Sequence, residues 1–255
     1  MRRLLWVVAV VIVSVAPLFP VAAQDRIDPP VAPPPPPGAA PRPPDVLIIP
    51  RPALTTHPIL ARETAGTLRG FVADLLDGLD VFWGASFARE GVGYTNANLM
   101  WVTVAQSVVT ACQPQRVILA PAAYCDADQT IYLSQPFLEH WWARSQGMAV
   151  VLTLAITWGN HAQNLLGIGP DEYDPYQLDL QADCFAGAFV RYANARGWLR
   201  PGDREEAIRL MRESPNGWAV PGETNRLAAG SDERASAFES GYAGISCAGF
   251  TPLES

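Results

Sequence analysis

Chemistry has few places to reside in this chain. Its histidines number three, His57, His140 and His161. Only His161 lies in a run whose spacing gathers polar groups on a helix: Ile156-Thr157-Trp158-Gly159-Asn160-His161-Ala162-Gln163-Asn164. The preceding residues, Met148 to Leu154, are apolar and free of Pro, so the run reads as the second half of a buried helix. Donors at i and i+4 of such a helix lie one turn apart and can share a metal, with a carboxylate beside the first donor serving as general base. No two strong donors of this run have that spacing: an alkane such as Ile156 offers no lone pair, and a carboxamide such as Asn160 is a poor zinc ligand. Thr157 has no group that titrates near neutral pH. His161 follows Asn160 by about 100° of helix rotation and shares a face with Thr157 instead. A second apolar-periodic run carries Asp179 and Asp183. A rearranged site from His161, Asp179 and Asp183 is the one metal reading left open. A catalytic zinc wants three good protein ligands and an open position, and Ile156, Asn160 and the second run's Asp179 supply at most one, Asp179.

Two strings, Gly159–Gly167 and Leu180-Gln181-Ala182-Asp183-Cys184-Phe185-Ala186-Gly187, together resemble the neutral zinc metallopeptidase family. That family has the form A-H-E-x-G-H-H-x-Q-N-L-L-G over the first string. Aligned on Gly159 and Gln163–Gly167, its two ligand His positions fall on Ile156 and Asn160, and its general-base Glu falls on Thr157. Its third ligand, the Glu of an E-x-x-A-D string, falls on Asp179, one methylene shorter. Tyr124 to Leu133 matches the family's Tyr-Cys-x-x-Asp-x-x-Ile-Tyr-Leu string, and Arg234, Phe238 and Gly241 fit its closing R-x-x-x-F-x-x-G pattern. The resemblance implies an α+β, mostly helical, zincin-like domain with a small β-sheet. It also implies a cleft whose rim strand, at Gln129, Thr130, Ile131 and Tyr132, would pair with extended substrate backbone. The HExxH residues themselves are absent. The degenerate positions Ile156, Thr157 and Asn160 therefore imply no catalytic residues and no cofactor, with zinc only if altered ligands serve.

The elements that must position these groups follow from periodicity. Helices are expected over Thr67–Arg89, Phe137–Trp142, Gly147–Leu166, Tyr176–Gly197, Asp203 (as N-cap) to Arg212, and Ser231–Tyr242. Trp101–Ala111 is β-rich, Arg116–Ala120 and Gln129–Leu133 read as short strands, and Tyr124–Asp128 has turn chemistry. Asp171, Glu172 and Asp174 form an acidic loop without the spacing of a calcium-binding loop. No Gly-x-Ser-x-Gly elbow supports serine hydrolase chemistry.

Before residue 55 the chain changes character. Arg2-Arg3, the apolar stretch Leu4–Val15 and Val21-Ala22-Ala23 form an export signal, cleaved before Gln24 or retained as an anchor. The apolar stretch falls short of the roughly 20 residues of a membrane span. Residues 24–54 hold half of the 24 prolines and read as a disordered, extended spacer. The folded, metallopeptidase-like domain is expected over 55–255. An exported chain with four Cys should form disulfides. Of three possible connectivities, Cys112–Cys125 and Cys184–Cys247 are expected, stabilising by roughly 3 and about 4 kcal/mol in the chain-entropy account. The net charge of −7, with every basic residue Arg, offers no basic aromatic stripe and excludes a nucleic-acid partner.

The reading is an exported, secreted or envelope-associated pseudopeptidase. It would bind or regulate an extended peptide or envelope protein and touch membrane only through an uncleaved N-terminal segment. The alternative is an active metalloendopeptidase with altered metal ligands.

Overall fold

Long apolar periodicity builds the helices and shorter pairings build the sheet. A computed structural model describes Val46–Leu47 and residues 67–103, 107–108, 110–112, 116–117, 121–145, 147–169, 173–213 and 230–247. These fall in one compact unit, Arg42–Ser255. The expected signal at 1–23, the remainder of the proline-rich stretch, His57, and the acidic residues Asp171 and Glu172 lie outside the described residues.

Helix α1 (Leu68–Arg89) opens on Thr67, whose hydroxyl accepts from Gly70 N–H, and closes with Arg89 in its last turn. The hydroxyl satisfies one N-terminal N–H, and Arg89 complements the negative end of the helix. Phe71, Val72, Leu75, Leu79, Phe82, Trp83 and Phe87 are buried along one face. Strand β2 (Asn98–Val102) follows, then the two-residue strands β3 (Ser107–Val108) and β4 (Arg116–Val117), which pair with each other. Strands β5 (Ala122–Cys125) and β6 (Thr130–Ser134) form an antiparallel hairpin. Its turn is organised by Asp128, which accepts from Thr130 N–H at 3.1 Å and Tyr132 O–H at 2.7 Å. Strand β1 (Val46–Leu47), inside the stretch read as spacer, adds antiparallel to β2. The sheet order is β1-β2-β6-β5, with β2 and β6 parallel.

Helix α2 (Gln135–Arg144) leads to the central helix α3 (Met148–Leu165), then α4 (Pro175–Ala195), α5 (Asp203–Glu213) and α6 (Ser231–Tyr242). Helix α3 ends where Gly167 turns left-handed at φ 70° and Ile168 N–H returns to Gln163 O, the usual glycine-terminated helix end. A capping box of Asp174 and Gln177 with Pro175 starts α4. Asp203, expected as the N-cap of α5, instead lies within the helix, because its carboxylate accepts from Arg200 N–H at 2.8 Å. The turn expected at Tyr124–Asp128 is displaced as well. Tyr124 and Cys125 pair with Ile131 and Thr130, and the turn begins at Asp126. The fold is α+β and mostly helical.

Helices α4 and α6 cross at backbone contact through Gly187 and Gly241. A Cβ on Gly187 would sit 2.0 Å from Phe238 O, and one on Gly241 would sit 1.8 Å from Cys184 O. Cys184–Cys247 and Cys112–Cys125 are both bonded as expected, with Cα atoms 5.8 and 5.7 Å apart. Gln181 adds a buried amide link, accepting from Gln163 Nε2 and donating to Cys247 O. No helix among the described residues is long and apolar enough to cross a membrane.

Candidate functional site

Helix α3 is buried around almost its whole circumference from Met148 to Gln163. The exceptions are Ile156 and Asn160, both half-buried, and Asn164 continues that line beyond them. Their i, i+4, i+8 spacing makes one accessible stripe on an otherwise sealed helix. The positions aligned with the family's metal-binding pair thus occupy the one side of the helix that solvent reaches.

The side chains on that stripe carry no metal chemistry. Ile156 packs against the hydrophobic core. Thr157 is buried and its hydroxyl donates to Thr153 O at 2.7 Å, a bond within the helix that leaves it no role as a base. Asp179 lies half-buried on α4.

His161 is fully buried, and both ring nitrogens are engaged. Nε2 lies 2.7 Å from Thr95 O, and Nδ1 lies 3.0 Å from Tyr124 Oη. A carbonyl can only accept, so Nε2 carries the proton and Nδ1 accepts from the Tyr124 hydroxyl. The Tyr124 oxygen accepts in turn from Asn164 Nδ2 at 2.8 Å. Burial is the main cause that pushes the Tyr124 phenol above its ordinary value, which keeps it a donor. Rings of Tyr124, Trp158 and Tyr94 stand 5.4, 6.1 and 6.3 Å from the imidazole. Trp158 Nε1 donates to Tyr94 Oη, which donates to Asp80 on α1. His161 is therefore the centre of a clamp joining α1, the loop before β2, β5 and α3. Replacing Tyr124 with Phe strands the imidazole Nδ1 and an Asn164 N–H. The expected cost is about 1–3 kcal/mol, read as a lower denaturant midpoint. An unchanged midpoint would mean that the clamp does not hold the hairpin.

Asp183 is fully buried and bound through both oxygens by Arg234 of α6, Nε to Oδ2 at 2.7 Å and Nη2 to Oδ1 at 2.8 Å. Its carboxylate serves the fold, pinning α4 to α6. Burial pushes it up to about 6, opposed by the Arg234 hydrogen bonds and charge.

Zinc can now be tested against its expected donors. Both nitrogens of His161 and both oxygens of Asp183 have protein partners, Ile156 and Thr157 cannot ligate, and Asn160 is a weak donor. Asp179 adds a single carboxylate, and one carboxylate with a weak amide does not make a catalytic zinc site. His140 is exposed on α2, edge-on to Trp141 and in contact with Arg144. Among the described residues, one trio of metal-ligating side chains converges, Cys112, Cys125 and Asp126, and its sulfurs are disulfide-bonded.

The rim expected at Gln129, Thr130, Ile131 and Tyr132 needs correction. Gln129 is an exposed turn residue at φ 51°. Thr130, Ile131 and Tyr132 belong to β6, which is paired on both sides and buried at every position, so its backbone has nothing to offer a ligand. The strand that ends the sheet beside α3 is β5. Sequence reasoning also passed over Thr95, Tyr94 and Asn164. The Tyr124 match to the family string was the one clue to that clamp.

The family model described as "Putative neutral zinc metallopeptidase" matches residues 55–213. Two curated relatives, both named "Uncharacterized protein YpfJ", come from Escherichia coli strain K12 and strain O6:H1. Each is 30% identical over 154 residues, covering 54% of this chain and 53% of the relative. The chain spans about half the length of the curated relatives it matches. No solved structure matches.

Proposed function

Since the chain belongs to the neutral zinc metallopeptidase family and yet presents Ile156, Thr157 and Asn160 where that family's metal and base would be, we propose that it is a pseudopeptidase. It binds an extended peptide or protein segment of the cell envelope in the family's cleft and does not cut it. The donor set is the observation that carries this reading. The ligand lies along the Ile156–Asn160–Asn164 stripe, against the outer edge of β5, whose position the Tyr124 clamp fixes. An exposed strand edge supplies main-chain hydrogen bonds, and the neighbouring side chains supply selectivity. Export is supported by the N-terminal signal chemistry and by both disulfides, which persist in oxidising compartments.

The test uses the oxidised protein with both disulfides intact. It should carry well under one equivalent of zinc and show no chelator-sensitive hydrolysis of unfolded casein. Restoring Ile156→His, Thr157→Glu, Asn160→His and Asp179→Glu together should create a stoichiometric zinc site. Stoichiometric zinc and chelator-sensitive cleavage in the unaltered protein, both lost in Asp179→Ala, would establish the active metalloendopeptidase instead. N-terminal sequencing of the exported product should begin at Gln24; an intact Met1 in the membrane fraction would mean a retained anchor.

A further inference from the structure

The Cys112–Cys125 bridge has surroundings unlike those of its counterpart. Cys184 and Cys247 are both buried in the core. Cys112 is exposed and Cys125 is buried at the end of β5. The exposed carboxylate of Asp126 lies beside them, with Oδ1 3.0 Å from Cys112 Sγ. The two sulfurs and an Asp126 oxygen all fall within 4.8 Å of one another. We propose that Cys112, Cys125 and Asp126 form a redox-gated site for a thiophilic divalent cation such as Zn²⁺, closed by the disulfide and opened by its reduction.

Contacts other than the sulfur–sulfur bond also hold these groups. Cys125 is fixed by its pairing with Thr130. Asp126 is oriented by Ala127 N–H at 2.9 Å and its carbonyl accepts from Asn164 Nδ2 at 3.4 Å. Beside Cys112, Ala111 N–H donates to Asp128 Oδ2 at 3.3 Å. A tetrahedral zinc places thiolate and carboxylate ligands roughly 3.3–3.8 Å apart, inside the sphere these atoms already occupy. Two soft thiolates select a thiophilic ion over magnesium or calcium. The exposure of Cys112 leaves a fourth position for water.

The opening step balances as thiol–disulfide exchange. A low-molecular-weight thiolate attacks the exposed Cys112 sulfur, forming a mixed disulfide and releasing the Cys125 thiolate. A second thiolate attacks the reductant's sulfur in that mixed disulfide, releasing the Cys112 thiolate and the reductant's own disulfide. Two electrons pass from two thiols to the protein bridge. Cation binding then holds both cysteines as thiolates and gives up their protons to solvent. This site does not rest on the pseudopeptidase reading, which concerns the oxidised protein, although Cys125 closes the β5 strand that reading uses.

The experiment takes the full chain with both bridges formed and reduces it stepwise with a water-soluble phosphine, which is converted to its oxide as water supplies the oxygen and the thiol protons. Once two thiols are free, Co²⁺ is titrated in and the thiolate-to-cobalt absorption followed, with Zn²⁺ in competition. Expected are one equivalent bound after reduction and none before. Cys112→Ser should abolish the absorption, Asp126→Asn should weaken binding about tenfold or more, and the Cys184→Ser, Cys247→Ser double variant should retain it. The proposal is overturned by no thiolate–cobalt band in reduced protein, whether its circular dichroism stays native or is lost. It is overturned equally by binding that survives Cys112→Ser or is indifferent to Asp126→Asn.

Discussion

Replacing Arg234 with Met should destabilise the protein by about 3–5 kcal/mol, because it leaves Asp183 buried with its charge uncompensated. The carboxylate is fully enclosed and receives both its hydrogen bonds from the Arg234 guanidinium. Burial already pushes Asp183 up to about 6, with Arg234 pulling down and Asp179 pushing up. Removing Arg234 removes the pull and keeps the push. A carboxyl raised above its unfolded value of roughly 3.9 holds its proton more tightly when folded. Its favourable contribution is therefore complete below that value and is lost as pH rises through the folded one. The Arg234→Met deficit should accordingly be larger at pH 8 than at pH 5. Adding Asp183→Leu should recover most of the loss, since an apolar pair leaves no charge stranded. Denaturant unfolding of the parent, Arg234→Met, Asp183→Leu and the double variant at both pH values measures this. A single variant as stable as the parent, or a deficit blind to pH, would remove Asp183–Arg234 as the pin between α4 and α6.

Gly187→Ala and Gly241→Ala should each cost more than about 3 kcal/mol, at or beyond the upper end of ordinary overpacking. The added carbon would meet Phe238 O at 2.0 Å in the first case and Cys184 O at 1.8 Å in the second. Both obstacles are backbone atoms, which cannot swing aside as a side chain would, so the helices must part along their contact. Gly93→Ala provides the control, because a Cβ there meets nothing within 4 Å. Thermal unfolding with intact disulfides would decide. If either glycine variant keeps the parent's midpoint, the close crossing of α4 and α6 is wrong.

What the sequence disclosed was local. The apolar spacing of Phe71, Leu75, Leu79 and Phe82 located α1 to within a residue, because 22 residues of one period leave little ambiguity. The absence of imidazole and carboxylate at Ile156, Thr157 and Asn160 was equally plain, since it is a matter of identity at single positions. Pairings across the chain were hidden. Strand β6 reads alike whether it lies at the margin or in the middle of a sheet, and only its parallel partner β2 decides. Ala122-Ala123 have little β propensity of their own and become a strand by adding to β6. His161 illustrates the same limit. Its residue type suggested a donor to metal, while its partners, Thr95 and Tyr124, lie 66 and 37 positions away.

The late arrival of α6 governs how this molecule can be made. Asp183 meets its counter-charge 51 positions downstream, and Cys184 its sulfur partner 63 positions downstream. Such long-range closure comes late in folding. While a ribosome is still short of Ser231, α4 presents a bare carboxylate and an uncovered glycine groove, a sticky intermediate that must be kept from its neighbours. Helix α4 thus completes its contacts only once α6 (Ser231–Tyr242) has been made, and removing α6 would strip Asp183 of its counter-charge and leave Gly187 uncovered.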